Sequence, residues 1–329
     1  MLERYSIRTD LALEEKERFE DDNVEISGVI LEEDYDREHE IKITRVRIET
    51  ENGAKAMGKP VGVYLTMEAP NMGIKDETYH EEISKKLAEY INQMIENVMK
   101  VSGIRFGDTK DILSILVVGL GNRCVTPDAL GPYVADNLCV TRHFVKEYGK
   151  YALNENETKC FSAIAPGVMG QTGMETAEIV HGIVKETKPD LIIAVDALAA
   201  RNSRRLNRTI QVSDAGIHPG SGVGNHRFGL TKELLGVPVI GIGVPTVVDA
   251  ATIVNDTMEN LIQALESSKV LHGVGNVLGT YTEAEKYELV KELISPHLNG
   301  MYVTLKEEDE LIKQMSYTIS EALNKLLEK

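Results

Sequence analysis

The stretch ILSILVVGLGNRCVTPDALGP, residues 112–132, decides the fold that the sequence predicts. Its apolar first half leads into Gly119 and Gly121, and its end begins a helical pattern. An apolar strand, a glycine turn and a helix are typical of the first unit of an open parallel sheet. The turn departs from a dinucleotide-binding turn, because Cys124 stands where the third glycine is expected and Asp128 follows it.

Strand and helix patterns alternate from this stretch onward. The predicted strands are residues 112–118, 161–165, 191–195 and 237–244, and the predicted helices are residues 129–145, 173–186, 249–265 and 307–327. Near-continuous apolar runs such as LIIAV and VPVIGIGV favour parallel strands that are covered on both faces. We therefore expect an α/β fold, a doubly wound and mainly parallel sheet with helices on both faces. Residues 270–300 predict no regular element.

The residues before this core follow a different pattern. Three segments alternate with a period near two, at residues 24–31, 40–50 and 61–70, and no helical pattern separates them. They predict an N-terminal antiparallel β elaboration, followed by an amphipathic helix over residues 79–100. Neither a repeat nor a linker interrupts the sequence. We expect one α/β domain over residues 11–329, with the elaboration at about 24–100 and the core at about 110–329.

Composition restricts the functional classes. The chain of 329 residues carries a formal net charge of −16, which disfavours direct nucleic-acid binding. The first thirty residues are charged throughout, unlike a signal peptide, and no window approaches the roughly 18 apolar residues of a membrane span. Three scattered cysteines form neither a disulfide framework nor a zinc motif. These features predict a cytoplasmic protein without a membrane partner.

Three carboxylates follow predicted strands, where open parallel sheets bind their ligands. Asp128 precedes a helix, and an N-terminal cap is an equally good interpretation of it. Asp196 follows LIIAV, where a buried charge must be paired or used, and an arginine of ARNSRR is its alternative structural partner. Asp249 follows VPTVV, and a helix cap is the favoured interpretation of it.

Other residues give weaker signals. Cys124 lacks a cysteine peptidase signature, and we interpret it as a small loop residue rather than a nucleophile. The run GIHPGSGVG, residues 216–224, contains His218 but does not match the phosphate-binding loop pattern, so we predict a flexible loop over the site. No HExxH motif indicates zinc, and we predict no metal and no cofactor. A nucleotide-binding regulator built on Gly119 and Gly121 is the non-enzymatic alternative.

Two neighbouring aspartates have a recognised chemistry. Each carboxylate discourages ionisation of the other, which separates their apparent pKa values. One can then take a proton from water as it attacks a peptide carbonyl, while the other protonates the departing nitrogen. Asp128, Asp196 and Asp249 are the carboxylates that the sequence offers for such a pair.

Long motifs make the chain resemble a known family. They are YSIRTDLALE, VGLGNRCVTPDALGP, VTRH, PGVMGQTGMET, IIAVDALAAR, SDAGIHPGSGVGN and GVPTVVDA, and they span most of the sequence. The chain is similar in these motifs to the germination proteases of endospore-forming bacteria. That family begins the degradation of small acid-soluble, DNA-binding spore proteins, and it is related to the hydrogenase maturation peptidases.

The resemblance implies an atypical aspartic endopeptidase. The two catalytic aspartates of the family correspond to Asp128 and Asp196, and Asp249, Asn122 and His218 are possible supporting residues. Because the hydrogenase relatives bind nickel, a nickel-dependent maturation-type peptidase is the enzymatic alternative.

The resemblance also implies a zymogen that processes itself. The propeptide would be residues 1–10, with the cut between Asp10 and Leu11. A homotetramer located in the forespore and spore core is expected, with the spore proteins as substrates.

Overall fold

The computed structural model describes residues 9–21, 26–73, 76–103, 112–153, 159–218, 228–267, 285 and 300–327. The strands of this part are β1 Val29–Asp36, β2 Ile41–Ile48, β3 Gly62–Glu68, β4 Leu113–Gly119, β5 Lys159–Ile164, β6 Leu191–Ala200, β7 Thr209–Ser213, β8 Val239–Asp249 and β9 Tyr302–Val303. The helices are α1 Ala12–Asp21, α2 Glu51–Met57, α3 Glu77–Val101, α4 Leu130–Asp136, α5 Arg142–Tyr148, α6 Met169–Thr172, α7 Thr176–Thr187, α8 Lys232–Leu235, α9 Ala250–Ser267 and α10 Glu308–Asn324.

A single continuous sheet contains all of these strands. Its order is β1-β2-β3-β7-β8-β6-β4-β5, and β9 pairs with the far end of β8. The neighbours β8, β6, β4 and β5 are parallel, whereas β1, β2, β3 and β7 pair antiparallel. The predicted α/β class with an N-terminal antiparallel elaboration is therefore confirmed.

Helices cover both faces of the parallel strands, as predicted. Alternate residues of β4 point to opposite faces, because side chains alternate along a strand. Ile115 and Val117 pack in a core with α3, α4 and α10, whereas Leu116 and Val118 pack in a second core with α7. The two faces are called the α3 face and the α7 face below.

The long helix α3 shows how local sequence fixes an element. Asp76 caps its N-terminus, where Oδ1 accepts hydrogen bonds from the backbone nitrogens of Thr78 and Tyr79. A stripe at helical spacing, which includes Ile83 and Leu87, is fully buried against the sheet. The predicted helix over residues 79–100 is confirmed.

The predicted helix over residues 129–145 was wrong as a single element. α4 ends at Asp136, and α5 begins at Arg142. Tertiary hydrogen bonds hold the break open, because the Cys139 nitrogen donates to Asn324 Oδ1 at 2.8 Å and the Thr141 nitrogen donates to the Phe161 carbonyl at 2.9 Å. Neither partner is near in sequence.

Other boundaries also differ from the prediction. β6 continues to Ala200 and β8 to Asp249, so both strands run past the apolar stretches that predicted them. β1 begins only at Val29, and residues 22–25 lie outside the described part. The sequence patterns did not predict α1, α2 or β7. The irregular segment predicted at residues 270–300 lies outside the described residues except for 285 and 300.

Chain order reverses beside β4. The chain passes from β4 to β5 on one side of β4 and then returns to β6 on its other side. In doubly wound sheets, ligands bind in the crevice outside the carboxyl ends of the strands at such a reversal. The loops that follow β4 and β6 are thus the expected location of a site.

Candidate functional site

The ends of β4 and β6 are tied together at this reversal. Gly119 and Val195 form the last pair between the two strands, and the Leu120 nitrogen donates to the Val195 carbonyl at 2.8 Å. Asp196 is the next residue of β6. The structure therefore places Asp196 beside the turn that leaves β4 and carries Asp128.

Very close backbone contacts hold Asp128 in this turn. Gly121 has a φ of 112°, and a Cβ atom there would lie 2.0 Å from the Asp128 carbonyl oxygen. The Asn122 nitrogen donates to Asp128 Oδ2 at 2.8 Å. Thr246 of β8 donates from Oγ1 to the Pro127 carbonyl at 2.7 Å. Contacts within the turn and with β8 thus fix the position of the Asp128 carboxylate.

Asp196 is buried, with 5% of its surface exposed. The sequence predicted that it ends its strand, and this was wrong. β6 continues to Ala200 along β8, and only the pairing with β4 stops before Asp196. Its Oδ1 accepts from the Ala197 nitrogen at 3.0 Å.

Asp196 lies on the α7 face of the sheet. Ile192 and Ala194 of β6 pack in the core with α7, whereas Ile193 and Val195 pack in the core with α3. Because side chains alternate along a strand, Asp196 points to the same side as Ile192 and Ala194.

A row of three residues crosses the α7 face at this level. Asp196 pairs with Gly243 of β8, and Gly243 pairs with Gln211 of β7. Their neighbours Ile242 and Val212 belong to the core on the α3 face, so Gly243 and Gln211 lie on the α7 face. The middle position of the row carries no side chain.

The N-terminal segment lies along the same strand β6. The Asp10 nitrogen donates to the Ala199 carbonyl at 3.0 Å, and the Ala199 nitrogen donates to Asp10 Oδ2 at 2.9 Å. Leu11 is fully buried in a small core with Leu198 and Val248. The bond predicted to be cut, between Asp10 and Leu11, is therefore held in an ordered position.

A buried carboxylate anchors this segment. Glu14 is 1% exposed, and it accepts from the backbone nitrogens of Arg201 and Asn202, from Arg205 Nη1 and from the Thr9 hydroxyl. Arg205 also pairs with Glu17 and Glu68. The pKa of Arg205 lies above its usual value. Burial alone would lower this pKa, but the hydrogen bond with Glu17 and the charges of Glu68 and Glu14 outweigh the effect of burial. Arg205, one of the arginines that the sequence offered as an ion-pair partner for Asp196, thus pairs with three glutamates.

A cavity opens between the N-terminal segment and the α7 face. Its lining includes Asp10, Lys59, Gln211, Gly243 and His218. The pKa of His218 lies below its usual value, since part of the ring is desolvated and the Lys59 ammonium is near. The residue as a whole remains exposed. The cavity brings His218 to the segment that contains the predicted cut.

Two further candidates have defined contacts. Asn122 Oδ1 accepts from Gln171 Nε2 at 2.8 Å and from the Cys124 nitrogen at 3.0 Å, so it joins the loops after β4 and β5. Asp249 Oδ1 accepts from the Ala251 nitrogen at 3.1 Å in the first turn of α9. This hydrogen bond is the one that the helix-cap interpretation of Asp249 expects.

Some predictions fall outside the described part. Of the glycine-rich run at 216–224, residues 219–224 lie outside it, as do residues 1–8 of the predicted propeptide. Within the described ranges, no group of three or more His, Cys, Asp or Glu side chains is arranged to hold a metal ion. None of the described helices is both long and apolar enough to cross a membrane.

Sequence reasoning missed Lys59 and Gln211. Lys59 follows the left-handed Gly58 that ends α2, and Gln211 lies in the short strand β7. Neither belongs to a motif of recognisable chemistry. Only the pairing of β7 with β8 shows that Gln211 shares a row with Asp196.

Comparison with known proteins gives a consistent picture. A family model described as germination protease matches residues 7–271. A germination protease of Caldanaerobacter subterraneus subsp. tengcongensis is 48% identical, with 98% of this chain and 94% of that protein covered. One from Clostridium tetani is 43% identical over 97% of this chain and 94% of its own, and one from a Geobacillus species is 40% identical over 99% and 95%.

Proposed function

The chain belongs to the germination protease family, which makes it a peptidase of spore germination, and from this premise we propose that two aspartates carry its chemistry. The observation that supports the pair most directly is the hydrogen bond from the Leu120 nitrogen to the Val195 carbonyl. It joins the turn that carries Asp128 to the residue before Asp196. In this proposal the enzyme is an endopeptidase of the atypical aspartic type.

The proposed reaction uses water as the nucleophile. One aspartate of the pair takes a proton from the water as its oxygen attacks the peptide carbonyl carbon. The other aspartate, protonated at the start, gives its proton to the nitrogen as the carbon–nitrogen bond breaks. Asn122 supports the pair by fixing Asp128, and Asp249 and His218 are the remaining supporting residues that we propose.

The proposed substrates are the small acid-soluble, DNA-binding spore proteins. We propose a homotetramer in the cytoplasm of the forespore and in the spore core, acting without a cofactor. The name of the relatives supports spore germination as the setting. The substrates, the homotetramer and the location follow from the resemblance to the family.

We also propose that the chain is made as a zymogen. Residues 1–10 are the propeptide, residues 11–329 form a single peptidase domain, and the cut lies between Asp10 and Leu11. The burial of Leu11, Ala12 and Leu13 supports this boundary, because the new N-terminus would stay anchored in the core after cleavage.

The test compares the chain with its Asp128→Asn and Asp196→Asn variants. Each protein is incubated at mildly acidic pH, and mass spectrometry follows both the loss of residues 1–10 and the cleavage of an added spore protein. We expect both reactions in the wild type and neither in the two variants, with folding retained in all three.

Asp136→Asn is the matched control. Asp136 is half-exposed on α4 and pairs with Arg123 at the surface, so its loss should leave both reactions unchanged. Substantial cleavage by both Asp128→Asn and Asp196→Asn would refute the aspartate pair.

A further inference from the structure

We propose that Lys59 and Gln211 bind the carbonyl oxygen of the bond that is cleaved and stabilise the negative charge that develops on it. The inference rests on the proposed self-cleavage between Asp10 and Leu11. The two aspartates transfer protons, whereas Lys59 and Gln211 would supply the hydrogen-bond donors that stabilise the carbonyl oxygen.

The first observation is the pair of donors at the Asp10 carbonyl. Lys59 Nζ donates to this oxygen at 3.1 Å, and Gln211 Nε2 donates to it at 3.2 Å. Lys59 Nζ also donates to the Thr9 carbonyl at 3.2 Å. A cation and an amide N–H on one carbonyl oxygen are the groups that stabilise an oxyanion.

The orientation of the Gln211 amide follows from its second contact. Its Oε1 accepts from the Ala12 nitrogen at 2.8 Å, and a backbone N–H can only donate. The amide nitrogen must therefore face the Asp10 carbonyl. Gln211 is 7% exposed in β7, between β3 and β8, so the donor is held by the sheet rather than by a loop.

The other end of the same peptide bond is also held. The Leu11 nitrogen, which becomes the leaving group, donates to Thr9 Oγ1 at 3.0 Å. The Thr9 hydroxyl donates in turn to the buried carboxylate of Glu14. Contacts on both sides thus fix the carbonyl and the nitrogen of this bond.

The donor Gln211 lies on the same face of the sheet as Asp196. Gln211 and Asp196 occupy the same row of the α7 face, with only Gly243 between them. Two strand spacings separate their Cα atoms, which is about 10 Å. The Leu198 side chain packs over Gly243 in this row, and a cavity lined by Asp10, Leu198, Gln211 and Gly243 opens beside the bond.

The contacts give a balanced reaction. The water oxygen bonds to the Asp10 carbonyl carbon, its proton passes to one aspartate, and the π electron pair moves onto the carbonyl oxygen. Lys59 and Gln211 stabilise that charge, which is larger in the transition state than in the intact peptide. The electron pair of the oxyanion then re-forms the C=O bond as the carbon–nitrogen bond breaks, and the Leu11 nitrogen keeps the electron pair of the broken bond and takes the second aspartate's proton. The products are the Asp10 carboxyl group and the Leu11 amine.

The test measures self-cleavage of the full chain in Lys59→Met and Gln211→Glu variants. Gln211→Glu keeps an acceptor for the Ala12 nitrogen and removes the donor to Asp10. Losing one donor of this kind lowers the rate constant about 100-fold to 1000-fold. Lys59→Arg should restore part of the rate, and Lys55→Met, which removes an exposed lysine of the preceding helix α2, should cleave like wild type.

Amide hydrogen exchange over residues 9–13 shows whether a variant slows the chemical step or instead loosens the binding of this segment to the rest of the protein. The inference requires slow cleavage with wild-type protection in Gln211→Glu. Slow cleavage with lost protection would mean that the donors only hold the segment, and wild-type rates in both variants would equally overturn the inference. If Lys59→Met and Gln211→Glu cleave normally but Asp196→Asn does not, only this inference fails. If the wild type itself does not cleave, the proposed self-processing fails together with it.

Discussion

Replacing Gly121 with alanine tests whether the turn after β4 positions Asp128. The glycine has a φ of 112°, a conformation that L side chains rarely adopt. A Cβ atom there would lie 2.0 Å from the Asp128 carbonyl oxygen and 3.0 Å from Asp128 Oδ1. The substitution therefore acts on the backbone and on the carboxylate of the same residue.

The magnitude follows from these distances. Backbone strain of this kind costs roughly 1–3 kcal/mol, and relief of the overlap in a packed turn costs about 1–3 kcal/mol more. We expect the free energy of unfolding to fall by about 2–6 kcal/mol in Gly121→Ala. Ordinary contact begins at 3.4 Å, so the Asp128 carbonyl oxygen must move by at least about 1.4 Å. A displacement of about 1 Å at a reacting group can already cost on the order of 100-fold in rate.

Urea unfolding and cleavage of a spore protein substrate measure the two effects. Gly182→Ala is the control, since Gly182 is exposed in α7 and a Cβ atom added there would meet nothing within 4 Å. It should gain about 0.5–1 kcal/mol of stability, because alanine favours helices. A Gly121→Ala protein with wild-type stability and wild-type cleavage would refute the role assigned to this turn.

Three further predictions concern buried charges and a cap. Arg205→Met should lower the free energy of unfolding, measured in urea, by about 3–5 kcal/mol, because it leaves Glu14 buried without its cation. Adding Glu14→Gln should recover part of the loss, and a loss below about 1 kcal/mol in Arg205→Met would contradict this reasoning. Burial raises the pKa of Glu308 above the ordinary glutamate pKa of 4.5. Protonated Glu308 therefore stabilises the folded protein below pH 4.5, and this stabilisation disappears as the pH rises through the pKa of Glu308 in the folded state. Glu308→Gln should therefore gain stability relative to wild type between pH 4 and pH 8 in thermal melts, and a pH-independent difference would be inconsistent with a buried carboxylate. Asp249→Asn keeps a good cap but removes the charge of a proposed supporting residue, so stability should remain near wild type while cleavage slows, and unchanged cleavage would leave Asp249 with the cap role alone.

The sequence predicted those elements whose signals are local. The apolar run and glycines around Gly119 predicted β4 and its turn, and the helical stripe of α3 predicted that helix. Asp196 was found because a carboxylate after an apolar run is costly unless it is used. Its place inside β6 was not predictable, since the strand is prolonged by pairing with β8.

The remaining features depend on distant partners. The break between α4 and α5 depends on Asn324, and β7 has only five residues, too few for a clear period. α1 is so rich in charge that it shows no apolar stripe in the sequence, yet Glu14 within it is buried by contacts near residue 201. Lys59 and Gln211 meet the Asp10 carbonyl only because β7 lies between the N-terminal strands and the parallel core.

The position of β7 also has a consequence for biosynthesis. Gln211 follows Asp10 by 201 residues, so a ribosome that adds about 5–20 residues per second needs roughly 10–40 s between the two. Throughout that interval the edge of β3 has no β7 to pair with, and the amide that holds the Asp10 carbonyl does not yet exist. The self-cleavage that we propose would therefore have to wait until β7 has emerged and paired with β3.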